Sequence, residues 1–456
     1  MNRILHGVAL DWQEEYKRKL ISAEEAANLI KSGDSVMITG REPLAIGLAL
    51  AARKEDLKDV QITLVGPGYD FGWYDPGWEE SFKISMYFPT AVSQDMVDER
   101  RCDILVPPLL PAITHHYDWY SGEKELDVFL VEISTPDEHG FCSYGNTLGD
   151  KKRLTELAKL VIAEANPRLI RTCGENFVHV SQIDYFVEHV SSGRTLGGGL
   201  SGGSLIGRDI KPVEPFLKHI AENVSQLIRD RDTLQVGGGR TTEPLIGLGM
   251  LADKHDLGLH SELTLRGIIS LVRSGVINGK YKTINPGKAV VTSVGGGTPE
   301  EMDWVQNNPL FWMVDLNYLE DCRVVGAHDN FVAINNVLAA NLSGEMAITS
   351  LGTRRYAGVG GQLNFVIGTL FSKGGRSISV LPSTARNGST SRIVPQFPPG
   401  TAVGITQPLS DYVVTEYGIA KLKGKTLRQR ANELIAIAHP DFRAELRNEA
   451  QKLYWP

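Results

Sequence analysis

The chain has 456 residues, of which 42% are hydrophobic and 22% are charged, which is typical of globular proteins and excludes a fibrous or disordered class. Because this length exceeds what one hydrophobic core usually supports, two domains are expected. The formal net charge of -7 offers no basic surface for nucleic acid, and no apolar run reaches membrane-spanning length, so neither is expected as a partner. The N-terminus lacks a signal-peptide pattern, so a cytoplasmic location is the simplest interpretation.

A weak internal repeat relates residues 33–68 to residues 231–267. Both stretches predict a strand, a Gly-Arg turn, an amphipathic helix that begins at Glu-Pro-Leu, and a second strand. The period is too long for a solenoid, so the repeat predicts two related α/β halves. Elsewhere “LDVFLVEIS” and “RSISVLPST” predict buried strands, and “KPVEPFLKHIAENVSQLIRD” and “TLRQRANELIAIAHPDFRAEL” predict helices.

In the first half, “DEHG” places three potential metal ligands side by side, Asp137, Glu138 and His139. Their side chains could bind a metal ion. The same residue types are also typical of a polar turn, which is the favoured interpretation. No metal is therefore expected.

The stretch 191–212 is rich in glycine and serine. It contains a GxGxxG match that begins at Gly197, but no clear helix follows, so a dinucleotide-binding loop is not supported. We interpret the stretch as a connection between an N-terminal domain of residues 1–190 and a C-terminal domain of residues 213–456.

Two glycine turns follow in the second half. In “QVGGGRTTEPL”, Gly237 to Gly239 stand between a predicted strand and a predicted helix, where backbone N–H groups and the helix dipole favour an anion. The alternative is an ordinary strand-to-helix turn. In “YAGVGGQLNF”, Gly360 and Gly361 could provide N–H groups to an oxyanion, and the amide of Gln362 could donate or accept.

Between these turns, “DLGLHSELTLRG” predicts a short buried strand over Leu257–Leu259 that ends before Glu262. Functional groups in open α/β sheets collect beyond the carboxyl ends of strands, although an acidic residue there can also be solvated or cap a helix. The equivalent strand of the first repeat, “VQITLVG”, contains no acid. This asymmetry favours a functional role for Glu262.

Several segments together resemble the acetyl-CoA hydrolase/transferase family of CoA-transferases, most nearly its 4-hydroxybutyrate and butyryl-CoA:acetate types. They include “LQVGGG”, “LGLHSEL”, “FVAIN”, “AGVGGQLNF”, “SKGG” and “LPSTARNGSTSRIVP”, in that order, and the similarity runs from about residue 15 to 446. The resemblance implies two related open α/β domains with the active site in the cleft between them.

The resemblance also implies roles for individual residues. Glu262 is the implied catalytic nucleophile, and Gly238 and Gly360 are the implied oxyanion donors. The residues expected to contact CoA or the substrate are Gly237, Gly239, Arg240, Thr241, Asn335, Gly361, Gln362 and Lys373.

The implied reaction moves CoA from a short-chain acyl-CoA, of acetyl, butyryl or 4-hydroxybutyryl type, to a carboxylate. It follows a ping-pong mechanism in which CoA is both a substrate and part of a glutamyl-CoA thioester. Acyl-CoA and small carboxylic acids are the implied partners, and a homodimer or homotetramer is the implied assembly. Two other functions remain open, a hydrolase that uses the same glutamate and an acyl-CoA-binding protein without catalysis.

Four departures from the family pattern indicate a divergent subgroup. Leu263 replaces a methionine, Asn364 replaces the aspartate of “GGQxDF”, residues 339–345 replace “VDLTGQ”, and the turn at Arg240 is longer than usual. They leave the acyl substrate open. Arg240 could pair with a substrate carboxylate or a CoA phosphate, or it could simply be exposed.

Overall fold

The computed structural model of the chain describes four stretches, namely residues 11–39, 43–106, 125–190 and 214–456. The glycine- and serine-rich connection predicted at 191–212 lies outside them, so the domain boundaries drawn from it stay a prediction.

Contacts between Cα atoms group the chain into two compact units. The N-terminal unit comprises Met1–Asp209 with Val291–Tyr318, and the C-terminal unit comprises Ile210–Val290 with Leu319–Pro456. The segment Val291–Tyr318 therefore comes late in the chain but packs in the N-terminal unit. Its contacts there include backbone hydrogen bonds from Leu148 N to Thr292 O at 2.8 Å and from Val294 N to Asn146 O at 2.7 Å.

Strands account for much of both units. In chain order they are β1 (Ser35–Ile38), β2 (Val60–Leu64), β3 (Phe82–Met86), β4 (Asp103–Ile104), β5 (Val128–Ser134), β6 (Phe141–Ser143), β7 (Leu160–Asn166), β8 (Phe177–His179), β9 (Tyr185–Glu188), β10 (Thr233–Val236), β11 (Gly258–Leu263), β12 (Ala289–Ser293), β13 (Phe311–Met313), β14 (Phe331–Asn336), β15 (Ala339–Asn341), β16 (Met346–Ala347), β17 (Ser350–Leu351), β18 (Arg354–Arg355), β19 (Arg376–Val380), β20 (Thr384–Ala385), β21 (Thr390–Ser391), β22 (Ile393–Val394), β23 (Val403–Ile405), β24 (Tyr412–Thr415) and β25 (Gly418–Lys421).

Helices alternate with the strands. In chain order the α-helices are α1 (Trp12–Lys19), α2 (Ala23–Asn28), α3 (Leu44–Ala51), α4 (Gln94–Asp98), α5 (Lys151–Leu157), α6 (Phe216–Ser225), α7 (Ile268–Arg273), α8 (Pro299–Val305), α9 (Leu316–Leu319), α10 (Cys322–Gly326), α11 (Gln362–Phe371), α12 (Leu427–Ala436) and α13 (Arg443–Tyr454). Short 3-10 turns span Val180–Gln182, Glu243–Leu245, Gln407–Leu409 and Pro440–Phe442.

The N-terminal unit is built on a seven-stranded parallel sheet in the order β4-β3-β2-β1-β5-β7-β9. Apolar side chains from these strands pack with those of α2 and α3 in one buried cluster that includes Val36, Ile62 and Trp73. The start of α2 is fixed by a capping box in which Ser22 and Glu25 each accept the backbone N–H of the other. A cap of this kind stabilises a helix by about 1 kcal/mol.

The C-terminal unit contains a sheet with the neighbouring order β11-β10-β14-β19-β24-β25. Its strands are parallel except for β25, which runs antiparallel to β24. A buried cluster that includes Val366, Leu381, Leu434 and Leu446 packs the flanking helices. The predicted strand “RSISVLPST” is β19, and the described part of the predicted helix “KPVEPFLKHIAENVSQLIRD” contains α6. The stretch “TLRQRANELIAIAHPDFRAEL” was predicted as one helix but forms α12, a 3-10 turn at Pro440–Phe442 and the start of α13, because the residue before a proline disfavours the α-helical conformation.

The two sheets confirm the predicted α/β class and follow the same topology. β1 pairs in parallel with β2 on one side and β5 on the other, just as β10 pairs with β11 and β14. The internal repeat in the sequence therefore corresponds to two structurally related halves.

The second copy of the repeat lacks the predicted amphipathic helix. In the first copy α3 forms from Leu44–Ala51, whereas the second copy forms only the 3-10 turn Glu243–Leu245 followed by further turns. The second copy has glycine at Gly247 and Gly249, and Gly249 has a φ of 91° that an α-helix does not contain. The helix prediction was wrong because these glycines favour turns over helix.

No helix within the four described stretches is long and apolar enough to cross a membrane.

Candidate active site

The carboxyl ends of three neighbouring strands bring together most of the predicted site residues. β11 ends at Glu262 and Leu263, β10 leads into Gly237, and β14 ends with Asn335 and Asn336. Because these strands are parallel and adjacent, the five residues lie at one edge of the C-terminal sheet. The connections also change direction there, since β11 lies on one side of β10 and β14 on the other, and such switch points form ligand crevices.

Glu262 is the penultimate residue of β11 and is half-buried. The prediction that this strand ends before the carboxylate was wrong, because His260 and Ser261 are both buried and continue the strand through it. Ser261 points to the opposite face, where its Oγ accepts the backbone N–H of Val236 at 3.2 Å. The strand therefore holds Glu262 rigidly while leaving part of its surface accessible.

The carboxylate of Glu262 has two hydrogen-bond partners. It accepts the backbone N–H of Gly361 and is hydrogen-bonded to the carboxyl of Glu320. Burial raises the pKa of Glu262, and the two hydrogen bonds oppose that rise in part. Glu320 is buried, and its Oε2 accepts the amide Nδ2 of Asn364 at 2.8 Å.

Gly361 stands directly before α11 with a φ of -68°, which any residue can adopt. Glycine is needed there for space, because a Cβ atom would lie 2.4 Å from Oε1 and 2.5 Å from Cδ of Glu320. The next residue, Gln362, has a buried Nε2 without a hydrogen-bond partner. An unsatisfied donor at a helix N-terminus is suited to an oxygen of a ligand.

The turn at Gly237 to Gly239 is less open to a ligand than its sequence suggested. The N–H of Gly237 donates to Ile334 O at 2.9 Å and so belongs to the sheet, whereas Gly238 is exposed and Gly239 is half-buried. The turn is closed by Thr242, whose Oγ1 donates to Gly237 O at 2.6 Å. Without the predicted helix, no helix dipole acts here, and Gly238 is the glycine of this turn that remains accessible.

The side-chain amide of Asn335 is held by two reciprocal hydrogen bonds with the side-chain amide of Gln235. Its Nδ2 donates to Gln235 Oε1 at 2.8 Å, and Gln235 Nε2 donates back to Asn335 Oδ1 at 3.0 Å. A Cβ on Gly237 would lie 2.1 Å from Asn335 Oδ1, so this glycine makes room for the pair. Both amides lie between β10 and β14, at the switch point.

The remaining predicted contacts are less central. Arg240 is exposed. Burial, and to a smaller extent the charge of Arg240, lowers the pKa of the Arg392 guanidinium, so the two cations repel each other. Thr241 is buried. Lys373 follows the far end of α11, which at 10 residues is about 15 Å long, so the structure does not bring it to Glu262.

Glu320 and Asn364 form part of the site, but no sequence pattern pointed to Glu320, and Asn364 was noted only as a departure from the family pattern. Glu320 reaches Glu262 because the adjacent Leu319 O accepts Nε2 of His260 at 2.8 Å. That bond joins two segments that are distant in sequence, so no short sequence motif contains both residues. The acid next to Asp321 in “LNYLEDC” was the only available signal.

The “DEHG” loop is a polar turn in this structure. Asp137 Oδ1 accepts the backbone N–H groups of His139 and Phe141, each at 2.9 Å, and its Oδ2 pairs with Arg171 at 2.7 Å. Within the described residues, no cluster of three or more His, Cys, Asp or Glu side chains is placed to hold a metal ion.

Comparison with known proteins identifies the family. Residues 5–192 match the acetyl-CoA hydrolase/transferase N-terminal domain, and residues 297–450 match the C-terminal domain of the same family. The chain is 38% identical over 452 residues to a 4-hydroxybutyrate coenzyme A transferase of Clostridium kluyveri, covering 98% of this chain and 100% of that protein. It is 34% identical to a succinyl-CoA:cyclohexane-1-carboxylate CoA transferase of Geobacter metallireducens, covering 97% of each chain.

The fold is shared with a solved structure. The crystal structure of RipA from Yersinia pestis superposes with a TM-score of 0.86 at 30% identity, covering 98% of this chain and 100% of that one. The chain therefore belongs to the acetyl-CoA hydrolase/transferase family, and the prediction that it is a CoA-transferase is confirmed.

Proposed function

We propose that the chain transfers CoA between a short-chain acyl-CoA and a carboxylate by a ping-pong mechanism, with Glu262 as the nucleophile that becomes a glutamyl-CoA thioester. The acyl groups that we propose are of acetyl, butyryl or 4-hydroxybutyryl type.

The position of Glu262 carries this proposal. Glu262 lies at the carboxyl edge of the sheet and is half-buried. Its carboxylate accepts the N–H of Gly361, and the next residue, Gln362, has an unsatisfied Nε2 donor. A nucleophile needs a fixed direction and an approach for the substrate. The strand supplies the direction, and the partial exposure of Glu262 supports an approach from the sheet edge.

The chemistry requires no ATP and no metal step. A Glu262 oxygen adds to the thioester carbonyl carbon, and the C–S bond breaks to release CoA thiolate and an acyl-glutamyl anhydride. The thiolate then adds to the Glu262 carboxyl carbon and releases the first acid, which leaves CoA on Glu262. A second acid reverses these steps, and exclusion of water preserves the energy of the thioester.

Negative charge develops on the substrate carbonyl oxygen during the first addition. We assign its stabilisation to the N–H groups of Gly238, which is exposed, and Gly360, which is half-buried, with Gln362 as an additional donor. One such donor lowers the barrier by about 3 kcal/mol. Asn335 and Gly239, at the same edge, are proposed to contact CoA or the reacting carboxylate.

Other predictions stay open to experiment. Three residue contacts with CoA or substrate remain predictions, those of Arg240, Thr241 and Lys373. The same is true of assembly as a homodimer or homotetramer, a cytoplasmic location and independence from metal. The arginine pair of Arg240 and Arg392 supports an anionic group near this edge, for which a CoA phosphate or a substrate carboxylate is suitable.

Initial-rate kinetics test the proposal. With acetyl- or butyryl-CoA as donor and acetate, butyrate or 4-hydroxybutyrate as acceptor, a ping-pong mechanism gives parallel double-reciprocal lines and the CoA ester of the acceptor. Intersecting lines would indicate direct transfer within a ternary complex and contradict a covalent intermediate. Rapid release of free CoA without any acceptor would instead identify a hydrolase.

A further inference from the structure

Two glutamates meet at the end of β11 because of the strand's alternation. Gly258, His260 and Glu262 share one face of the strand. His260 Nε2 is bonded to Leu319 O at 2.8 Å, which anchors the following residue, Glu320, over the next position of that face. The carboxyls of Glu262 and Glu320 are consequently hydrogen-bonded to each other.

The first turn of α11 holds both carboxyls in place. Gly361 donates its N–H to Glu262, and Asn364 Nδ2 donates to Glu320 Oε2 at 2.8 Å. The missing side chain of Gly361 is what allows Glu320 to approach, since a Cβ there would lie 2.4 Å from Glu320 Oε1. Gly361, which caps α11, and Asn364, in its first turn, therefore define the geometry of the pair.

Two carboxyls that are hydrogen-bonded to each other away from bulk water share one proton, because two negative charges in contact repel each other strongly. When Glu320 holds the proton, its carbonyl oxygen Oε2 still accepts from Asn364, and its O–H donates to Glu262. Glu262 is then the carboxylate that nucleophilic attack requires.

The elements that flank β11 add little charge to the surroundings of the pair. The elements β10, β14 and α11 contain no charged residue. Asp321, next to Glu320, is paired with Arg323 at 2.6 Å. On β11 itself, burial keeps His260 neutral by lowering its pKa well below the usual value.

We propose that Glu320 is a second catalytic residue, which keeps the shared proton and, together with the N–H of Gly361, stabilises the oxyanion that forms on the carbonyl oxygen of acylated Glu262. This inference rests on the proposed function, in which Glu262 is the nucleophile. It assigns separate oxyanion donors to the two additions, Gly238 and Gly360 for the substrate carbonyl and Gly361 and Glu320 for the glutamyl carbonyl.

The pair keeps its one proton throughout the proposed half-reaction. In the first addition a Glu262 oxygen bonds to the thioester carbon and the C–S electron pair leaves with CoA thiolate, while the proton stays on Glu320. In the second, the thiolate adds to the glutamyl carbon, and the charge moves to the carbonyl oxygen of Glu262, for which Glu320 and Gly361 are the proposed donors. The C–O bond then breaks, the first acid leaves as a carboxylate, and no proton enters or leaves the site.

The test measures the rate of glutamyl-CoA formation by rapid quenching and intact mass, across pH, in Glu320→Leu and Glu320→Gln. Glu320→Leu removes the donor, so we expect the rate of adduct formation to fall by about 10²-fold to 10³-fold while KM for acyl-CoA changes little. Glu320→Gln keeps a neutral donor that cannot ionise. We expect it to retain most of the rate and to lose the alkaline limb that the wild type shows when the pair gives up its last proton.

The control is Glu345→Gln, which removes a glutamate that also accepts from an asparagine, Asn341 Nδ2, at 2.7 Å. We expect its rate and pH profile to match the wild type, and thermal unfolding should show all variants folded. If Glu320→Leu does not fold, the pH profile of Glu320→Gln decides the question alone.

A wild-type rate in Glu320→Leu, or an unchanged alkaline limb in Glu320→Gln, would overturn the role of Glu320. Glu262→Gln separates this result from a failure of the proposed function. If Glu262→Gln forms no adduct while Glu320→Leu reacts normally, only the inference about Glu320 fails. If Glu262→Gln still forms the adduct, both fail.

Discussion

At the scale of single residues, the site depends on the absence of a side chain at Gly361. Its N–H bonds Glu262, and the space where a Cβ would lie is filled by the carboxyl of Glu320. Because its φ of -68° suits any residue, a substitution there tests the contact alone, without backbone strain.

We expect Gly361→Ala to lower kcat/KM by about 10²-fold or more, because the methyl group displaces Glu320 and misaligns one oxyanion donor. Overpacking of a buried contact should also reduce the free energy of unfolding by about 1–3 kcal/mol. Steady-state kinetics and urea unfolding measure the two effects.

The matched control for this variant is Gly247→Ala. Gly247 is exposed, and the nearest atom to an added Cβ is Pro244 O at 3.7 Å, so both activity and stability should stay at the wild-type level. Equal activity in Gly361→Ala and Gly247→Ala would show that the Glu320 contact at Gly361 is dispensable.

The sequence was a good guide to residues in contiguous motifs and a poor one to residues that meet through the fold. Glu262 and Gly361 stand in recognisable local patterns, and the structure places them in contact. Glu320 comes from another segment, and it is held beside Glu262 by the bond of His260 to Leu319 O and by Asn364 in the first turn of α11. No local sequence pattern predicts a contact between Glu320 and Glu262.

At the scale of elements, β11 is supported by a buried lysine. The side chain of Lys282 packs against Gly258, where a Cβ would lie 2.5 Å from its Cγ, and its Nζ donates to Leu259 O at 2.8 Å and Lys288 O at 2.9 Å. The buried amine of Lys282 thus holds the strand that carries Glu262 through the backbone carbonyl of Leu259.

Burial lowers the pKa of Lys282 from 10.5 to about 7. The unfolded chain therefore binds more protons at this residue than the folded chain between these two values, and folding becomes more favourable as pH rises through that window. Below it, Lys282 is protonated in both states, and the cost of burying its charge is constant.

We expect the free energy of unfolding of the wild type, relative to Lys282→Met, to increase by up to about 1.4 kcal/mol per pH unit as the pH rises above neutrality. Urea unfolding of both proteins across that range measures it, and titration of the other groups cancels in the difference. A difference that stays constant with pH would mean that Lys282 keeps an ordinary pKa in the folded protein.

Elements were predicted well where hydrophobic pattern and propensity agreed. The strands β5 and β19 and the helix α6 formed as expected, whereas the helix predicted over residues 426–446 is interrupted at Pro440 between α12 and α13. The helix after Gly239 did not form, because Gly247 and Gly249 outweighed an apolar pattern that suited a helix. The end of β11 was misplaced because a buried His-Ser pair looks like a strand end in sequence but has hydrogen-bond partners in the fold.

At the scale of the whole molecule, the duplication in the sequence explains why β1 and β10 each lie between two parallel neighbours in the same arrangement. The division into two units does not follow the chain simply, because Val291–Tyr318 packs in the N-terminal unit. Its anchors are buried, among them the hydroxyl pair of Thr147 and Ser293 at 2.8 Å. No composition change in the sequence marks this segment, so a linear boundary could not capture it.

We expect a fragment of residues 1–209 to be unstable by itself, because it lacks residues 291–318. Each buried polar group left unpaired costs about 1–3 kcal/mol. The combined cost of several such groups is comparable to the free energy of unfolding of a whole domain. Joining 291–318 to the fragment through a flexible linker should restore a cooperative unfolding transition, measured by circular dichroism. Equal stability of the two fragments would show that the segment is not needed for the N-terminal unit to fold.

The central claim is that Glu262 forms a covalent bond to CoA, and intact mass spectrometry followed by peptide mapping tests it most directly. After brief incubation with acetyl-, propionyl- or butyryl-CoA in the absence of an acceptor, we expect a CoA-sized adduct on the peptide that contains Glu262. Addition of a carboxylate should discharge it and yield the CoA ester of that acid, and Glu262→Gln should form no adduct. Full turnover by Glu262→Gln, or an adduct on a different peptide, would contradict the account.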